Sequence, residues 1–203
     1  MNKINYYKEN SDKNYWNNFY HNNNITKSNK ASIFCNFVIN YFKNFNIKKV
    51  IDCGCGNGRD TYELNKIYKV HGIDNNGFKP KNDINCNFYN EDFVNYNKEN
   101  YDLIYSRFTF HSITNEQHFT FLNSIKVNSY IAIETRSDKN KDEHKFHGDE
   151  HYRNYTNIDY LKNLLENKFD ILYIDEKKDF AIFGNENPIC IRVIAKKKNK
   201  LNI

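Results

Sequence analysis

The sequence Val-Ile-Asp-Cys-Gly-Cys-Gly-Asn-Gly-Arg-Asp, residues 50–60, decides the fold class of this chain. It holds three of the chain's seven glycines. They follow an apolar strand predicted over residues 48–52 and precede a helix predicted over residues 61–67. Glycine is needed where a backbone turns tightly or approaches a ligand closely, and a helix start offers unpaired N–H groups. The stretch predicts a ligand-binding turn between strand and helix, although a simple tight turn would also use such glycines.

Carboxylates stand on both sides of this glycine turn. Asp52 comes two residues before the first glycine, and Asp74 ends a second strand predicted over residues 70–74. The spacing Gly-x-Gly-x-Gly differs from the Gly-x-Gly-x-x-Gly of dinucleotide sites, and a carboxylate at Asp52 would repel a pyrophosphate. The arrangement therefore favours a ligand with a cationic end. Asp74 can accept hydrogen bonds from both hydroxyls of a ribose.

Strands alternate with helices along the rest of the chain. Further strands are predicted at residues 87–89, 101–106, 130–135, 171–174 and 189–195, and further helices at residues 28–45, 115–125 and 158–165. This alternation predicts an α/β, Rossmann-like doubly wound sheet, mostly parallel, with helices on both faces. The last two strands lack a helix between them, so we expect an antiparallel C-terminal edge strand. We expect a single domain over residues 1–203, with an N-terminal helical cap over 1–46 and the core over 47–198.

Composition limits the other classes of function. The formal charge is +5 over 203 residues, and much of the excess lies in residues 196–200, where a solvated terminus is expected. The five cysteines form no Cys-x-x-Cys pair, and no signal peptide or bilayer-length apolar run is visible, so we expect free thiols and a cytoplasmic location. His144 and His147 do not match a zinc-ligand pattern with their acidic neighbours, so no metal site is expected.

The stretch over residues 50–60 resembles the first motif of class I methyltransferases, whose cofactor is S-adenosyl-L-methionine. The resemblance in element order covers nearly the whole chain. It implies that Gly54 and Gly56 let the backbone approach the methionine part of the cofactor. It also implies that Asp52 orients the ammonium group, directly or through water. Arg59 resembles an arginine that pairs with the methionine carboxylate in some small members of the class.

The same resemblance assigns residues outside this stretch. Asp92 and Phe93 match the positions where an acid takes the adenine amino group and an apolar side chain covers the ring. Ser106 ends the fourth strand, next to the methionine. The other residues that we assign to the cofactor site are Trp16, Tyr20, Asn57 and Asn75.

Two segments carry a finer resemblance. Residues 105–113 and 151–153 resemble those of small class I methyltransferases that act in surface-polysaccharide and sugar-nucleotide biosynthesis. The aromatic N-terminus and residues 187–189 fit the same subgroup. The resemblance implies a sugar or glycan precursor as the methyl acceptor.

Candidate catalytic residues lie after the fourth and fifth strands, where the acceptor should bind. Histidine transfers protons near neutral pH, so His111 or His151 is expected to be the general base, with Glu134 as an alternative if burial raises its pKa. The candidate substrate-binding residues are Arg107, Tyr152 and Arg153, because the arginines could hold an anionic group. We expect the polar segment over residues 137–156 to be a lid.

Several acceptor classes are disfavoured. The chain lacks the Asn/Asp-Pro-Pro-aromatic motif of amino-methylating nucleic-acid enzymes. It also lacks the cysteine that a cytosine-C5 enzyme needs in the segment directly after the fourth strand, and the acid set of catechol-type enzymes. O-methylation of a small polar molecule or sugar is favoured, with no nucleic-acid or membrane partner and with the oligomeric state open. The alternatives are N-methylation of a small amine, an NAD(P)-dependent oxidoreductase and a non-catalytic RNA-binding module.

Overall fold

A seven-stranded sheet organises the computed structural model of the chain, which describes residues 14–18, 30–76, 86–140, 153–182 and 186–199. Its strands are β1 (Lys49–Cys53), β2 (Lys69–Ile73), β3 (Cys86–Tyr89), β4 (Leu103–Arg107), β5 (Tyr130–Arg136), β6 (Phe169–Lys177) and β7 (Cys190–Lys197). The strand order is β3-β2-β1-β4-β5-β7-β6. The pairs among β1 to β5 are parallel, whereas β7 runs antiparallel to both β5 and β6. The expected Rossmann-like sheet is confirmed, with β7 inside the sheet and β6 at its edge.

Helices lie between the strands at the places that the sequence predicts. They are α1 (Ile33–Phe42), α2 (Arg59–Asn65), α3 (Asn115–Asn123) and α4 (Ile158–Glu166). The prediction for α1, residues 28–45, was too long at both ends. Ser32 caps the helix, since its Oγ accepts a hydrogen bond from the backbone N–H of Cys35 at 3.0 Å. Phe45, which continues the apolar period, lies beyond the helix and is 39% exposed.

Side chains of the central strands are buried on both faces of the sheet. In β1, Val50 and Ile51 point to opposite faces because side chains alternate along a strand. Val50 belongs to the cluster that includes Phe34 of α1, and Ile51 belongs to the cluster that includes Phe121 of α3 and Leu161 of α4. Burial on both faces explains why β1 is buried continuously from Val50 to Cys53 and not at alternate positions.

The carboxyl ends of the parallel strands meet at one edge of the sheet, which is where open α/β sheets bind ligands. The segments that follow β1, β2, β3, β4 and β5 therefore come together there. Among the described residues, no helix combines the length and the apolar character needed to cross a membrane. The division into a cap over residues 1–46 and a core over 47–198 stays a prediction, since residues 1–13 and 19–29 lie outside the described part.

Candidate active site

The glycine turn has the backbone conformation that its sequence predicts. Gly54, Gly56 and Gly58 have φ values of 77°, 55° and 78°, in the left-handed region that side chains rarely adopt. At Gly54 a Cβ atom would also lie 2.1 Å from Cγ2 of Thr109, which is too close for any side chain. The turn is fixed to β2, because the Gly54 N–H donates to the carbonyl oxygen of Ile73 at 2.7 Å. The glycines thus bring the backbone of the turn close to the end of β4.

Asp52 lies beneath this turn and is 1% exposed. Its Oδ2 accepts a hydrogen bond from the hydroxyl of Thr61 in α2 at 2.6 Å. Burial raises the pKa of Asp52 to about 8, against the lowering effect of the bond from Thr61. The sequence placed Asp52 correctly beside the turn, and the structure adds that Thr61 holds its carboxyl group.

Asp74 follows β2 and contacts the same turn from the other side. Its Oδ2 accepts a hydrogen bond from the backbone N–H of Gly56 at 2.8 Å, and its Oδ1 accepts one from Asn76 N–H at 3.0 Å. Burial raises the pKa of Asp74, while the backbone bonds oppose that effect. Each carboxylate oxygen can accept a further hydrogen bond. Asn75, also assigned to the cofactor site, is exposed next to it.

Asp60 is a functional residue candidate that sequence reasoning missed. Its Oδ1 accepts from the backbone N–H of Ser32 at 2.7 Å, and its Oδ2 accepts from the hydroxyls of Ser32 and Tyr105, both at 2.7 Å. This buried carboxylate connects the start of α1, the start of α2 and the middle of β4. The only signal in the sequence is its place at the end of the glycine stretch.

Arg59 and Asn57 also lie at the glycine turn. Arg59 Nε is 3.8 Å from Asp60 Oδ1, and its side chain is 22% exposed. The Asn57 side chain accepts a hydrogen bond from the Arg59 N–H at 3.4 Å, which supports the turn itself. Trp16 lies in the short helical segment over residues 14–18 and contacts Tyr15 edge to face. Tyr20 lies outside the described residues.

Phe93, after β3, approaches the glycine turn from the predicted adenine side. Its Cε1 is 3.8 Å from the position that a Cβ on Gly54 would take. Asp92 begins this segment, and its Oδ1 accepts a hydrogen bond from the Val94 N–H at 2.9 Å. Lys98 holds the segment, since its Nζ donates to the carbonyl oxygens of Val94 and Tyr96 at 3.0 and 2.9 Å. Sequence reasoning did not single out Lys98, which is buried.

The end of β4 is packed against the turn through Ser106 and Thr109. Ser106 is fully buried, and its hydroxyl is hydrogen-bonded to the hydroxyl of Thr109. The Ser106 side chain therefore has a partner within the chain. Phe108, between these two residues, has a φ of 59°, which is uncommon for a bulky side chain. Arg107 lies over its ring, with Cζ 4.2 Å from the ring centroid.

His111 lies in a 3-10 turn, Phe110–Ser112, directly after this segment and is 4% exposed. Its Nδ1 is 3.5 Å from the hydroxyl of Thr135 at the end of β5. Its backbone carbonyl oxygen accepts a hydrogen bond from the Asn154 N–H at 2.7 Å. The loops after β4 and β5 therefore meet at His111, as expected. His151 and Tyr152 lie outside the described residues, as does most of the predicted lid.

Arg107 and Arg153 differ in their surroundings. Arg107 Nε donates to Oε1 of Glu134 at 2.9 Å, and the second oxygen of Glu134 accepts from Arg192 Nε at 2.7 Å. Burial raises the pKa of Glu134, while both guanidinium groups oppose that effect. Glu134 is completely buried between two cations, which does not suit a general base. Arg153, by contrast, has a buried Nε without a hydrogen-bond partner among the described residues.

No family model matches the chain, and no curated protein matches it. Solved structures do match. The 1,6-didemethyltoxoflavin-N1-methyltransferase of Burkholderia thailandensis, with bound 1,6-didemethyltoxoflavin and S-adenosylhomocysteine, aligns with a TM-score of 0.67 at 16% identity, over 89% of this chain and 84% of that chain. An S-adenosylmethionine-dependent methyltransferase of Methanosarcina mazei aligns with a TM-score of 0.63 at 17% identity, over 80% of this chain and 98% of that chain.

A third match is magnesium protoporphyrin IX methyltransferase of Synechocystis PCC 6803 with bound S-adenosylmethionine. Its TM-score is 0.57 at 12% identity, over 81% of this chain and 78% of that chain. The chain has the fold of class I methyltransferases. This methyltransferase fold places the glycine turn, Asp74 and Phe93 at the carboxyl edge of the sheet. At identities this low, the similarity establishes the fold and does not identify the substrate.

Proposed function

We propose that the chain is an S-adenosylmethionine-dependent methyltransferase. The observation that carries the proposal is the glycine turn held between Asp52 and Asp74 in a sheet with the methyltransferase fold. The turn leaves no room for a side chain at Gly54, as expected where a backbone approaches a ligand. The fold alone would leave a dinucleotide-dependent enzyme possible, because both classes place a ligand at this edge of the sheet.

The charges around the turn distinguish between S-adenosylmethionine and a dinucleotide as the ligand. Asp52, Asp60 and Asp74 all lie within or beside it, and the ion pair that the described residues form with them joins Arg59 Nε to Asp60 Oδ1 at 3.8 Å. Adding the pyrophosphate of a dinucleotide would place two more negative charges beside buried carboxylates. A cofactor with an ammonium and a sulfonium group instead receives favourable interactions there, and its positive charge favours ionisation of Asp52, whose pKa is raised to about 8 by burial. The carboxylates therefore support S-adenosylmethionine.

The cofactor's parts fit the described residues as follows. Asp74 would accept hydrogen bonds from the ribose hydroxyls with the oxygen lone pairs that its backbone bonds leave over. Phe93 would cover the adenine ring, beside Asp92. Arg59 would pair with the methionine carboxylate, and Asp52 would orient the ammonium group. When bound, the cofactor supplies an electrophilic methyl group.

The acceptor is proposed to be a hydroxyl of a small polar molecule, with a sugar or glycan precursor as the first candidate. A hydroxyl becomes a good nucleophile only as its proton leaves, so a base within hydrogen-bond reach helps. His111 would accept this proton, and Thr135 would orient its ring through Nδ1. The burial of His111 restricts its contact with bulk water. His151 stays a second candidate base.

Calorimetry tests the cofactor directly. The purified chain is titrated with S-adenosylmethionine, S-adenosylhomocysteine and NAD in parallel. We expect micromolar binding of the first two, about −8 kcal/mol in free energy, and no binding of NAD. Binding of NAD alone would overturn the proposal. Methyl transfer to a panel of sugars, sugar phosphates and small amines, followed by mass spectrometry, then distinguishes transfer to oxygen from transfer to nitrogen.

A further inference from the structure

Arg107 and Arg153, the two arginines that the sequence assigns to the acceptor, have different hydrogen-bonding states. Arg107 is bonded through Nε to Glu134, which also binds Arg192. Among the described residues, the buried Nε of Arg153 has no hydrogen-bond partner, and no carboxylate forms an ion pair with its guanidinium group. The first arginine has its charge balanced within the fold. The second does not have a balancing partner in the described part of the chain.

Arg153 is held close to the candidate base by its neighbour in sequence. The backbone N–H of Asn154 donates to the carbonyl oxygen of His111 at 2.7 Å. The Asn154 side chain donates to the carbonyl oxygen of Ile113 at 3.0 Å. These two bonds fix the backbone after Arg153 along the turn that contains His111. The arginine therefore belongs to the wall where the loops after β4 and β5 meet.

A second unpaired donor lies in the same turn. The hydroxyl of Ser112 is buried and has no hydrogen-bond partner within the described residues. Buried polar atoms without partners are rare in folded proteins, and each calls for an explanation. Two such donors, on segments that Asn154 joins, are explained together by a ligand whose oxygen atoms accept hydrogen bonds from both.

We propose that Arg153 and Ser112 bind an anionic oxygen group of the methyl acceptor, either a phosphate or a carboxylate. This inference rests on the proposed function and narrows its acceptor to an anionic molecule with a free hydroxyl. A guanidinium group binds such oxygens with two parallel hydrogen bonds, and the charge strengthens both. Because Arg153 adjoins His111 through Asn154, binding of the anion there brings the rest of the acceptor to the base. Arg107 then serves to hold Glu134 and not to bind the acceptor.

Anion binding by the S-adenosylhomocysteine-saturated protein tests this inference. Inorganic phosphate and acetate are titrated separately into the wild type, Arg153→Gln, Arg153→Lys and Ser112→Ala, and binding is followed by NMR. Arg136→Gln is the matched control, because Arg136 Nη2 is 2.6 Å from Glu186 Oε2 and its charge is already balanced. We expect the dissociation constant of the preferred anion to rise at least about tenfold in Arg153→Gln, less in Arg153→Lys and Ser112→Ala, and to stay unchanged in Arg136→Gln.

The outcomes separate this inference from the proposed function. Stronger binding of phosphate or of acetate identifies which anion the site takes. Equal binding in wild type and Arg153→Gln, equal losses in Arg153→Gln and Arg136→Gln, or no binding of either anion by the wild type would overturn the inference. Failure of S-adenosylhomocysteine to bind would overturn the proposed function, and the same anion titrations without it would still decide the role of Arg153. Circular dichroism spectra establish that each variant is folded.

Discussion

The two halves of the candidate site are built in different ways. The cofactor half, around the glycine turn, consists largely of one stretch of sequence, with Asp52 and its partner Thr61 only nine residues apart. The acceptor half consists of residues from distant segments, such as His111 and Asn154, joined by a backbone hydrogen bond. Its arginines Arg107 and Arg192 share the carboxylate of Glu134. The first half has a common sequence signature, whereas the second depends on the particular loops of this chain.

Replacement of the candidate base should have the largest effect on turnover. Its effect should be confined to the acceptor half. His111→Ala is expected to lower turnover by about 10²–10⁴-fold, the usual contribution of a general base. Cofactor affinity, measured by calorimetry, should stay within about twofold of the wild type. The pH–rate profile of the variant should lose the acid-side limb. If turnover and that limb persist, His111 is not the base, and the same experiment on His151→Ala tests the other candidate.

Loss of the central carboxylate of the acceptor half should affect stability more than cofactor binding. Glu134→Gln would leave the guanidinium groups of Arg107 and Arg192 buried without their shared anion. Breaking a buried pair in this way costs about 3–5 kcal/mol of unfolding free energy, measured by urea denaturation. The folded fraction should still bind the cofactor. Glu63→Gln, at the exposed ion pair with Lys66, is the control and should cost about 1 kcal/mol or less.

A side chain at Gly54, the first glycine of the turn, should lower stability and weaken cofactor binding. Gly54→Ala combines a left-handed φ of 77° with a Cβ placed 2.1 Å from Thr109 Cγ2. The conformation costs about 1–2 kcal/mol, and the overlap about 1–3 kcal/mol. We expect the variant to lose stability by that sum and to bind the cofactor weakly. Thr109→Ser, which removes the overlapping methyl group, should restore only the steric part in the double variant. No restoration would contradict the assigned contact.

Removal of the carboxylate of Asp74, after β2, should weaken cofactor binding and leave turnover nearly unchanged. Asp74→Ala is expected to raise the dissociation constant of S-adenosylmethionine by about tenfold or more, as one or two charged hydrogen bonds are lost. Turnover at saturating cofactor should change little. Asp102→Ala is a control, because Asp102 accepts its bonds from the Lys48 and Lys49 N–H groups, before β1 and at its start. Unchanged affinity in a folded Asp74→Ala protein would contradict the role of Asp74.

Asp52 is expected to make the unfolding free energy depend on pH, with a small change for each pH unit. Its pKa is raised to about 8 in the folded chain, so between about pH 4 and pH 8 the folded chain binds more protons than the unfolded chain. The unfolding free energy should therefore fall as pH rises through this window, by at most about 1.4 kcal/mol per pH unit. Asp52→Asn should remove this slope, because the amide does not ionise. Urea titrations of both proteins at pH 5, 6, 7 and 8 measure the difference, and equal slopes would refute it.

The sequence predicted the glycine turn and the strands around it well because their physical causes are local. Glycines at fixed spacing, an apolar strand before them and a carboxylate after the next strand each follow from neighbouring residues. Asp60 escaped prediction because its partners Ser32 and Tyr105 are 28 and 45 residues away. Likewise, the ion pair of Arg107 with Glu134, 27 residues further along, could not be predicted from the residues next to it. A charged residue's role depends on partners that only the fold brings together.

Closure of the backbone after β5 bears on how this protein could diverge. A parallel bridge pairs Ser137 with Thr156, and the Asp138 N–H donates to the carbonyl oxygen of Thr156 at 3.0 Å. The chain therefore leaves the sheet and returns at the same place. Insertion or replacement between these two points changes the length of a closed loop, and doubling a loop costs only about 0.6 kcal/mol. The length of this segment can thus change at little cost in stability, while the sheet and the glycine turn keep their sequence.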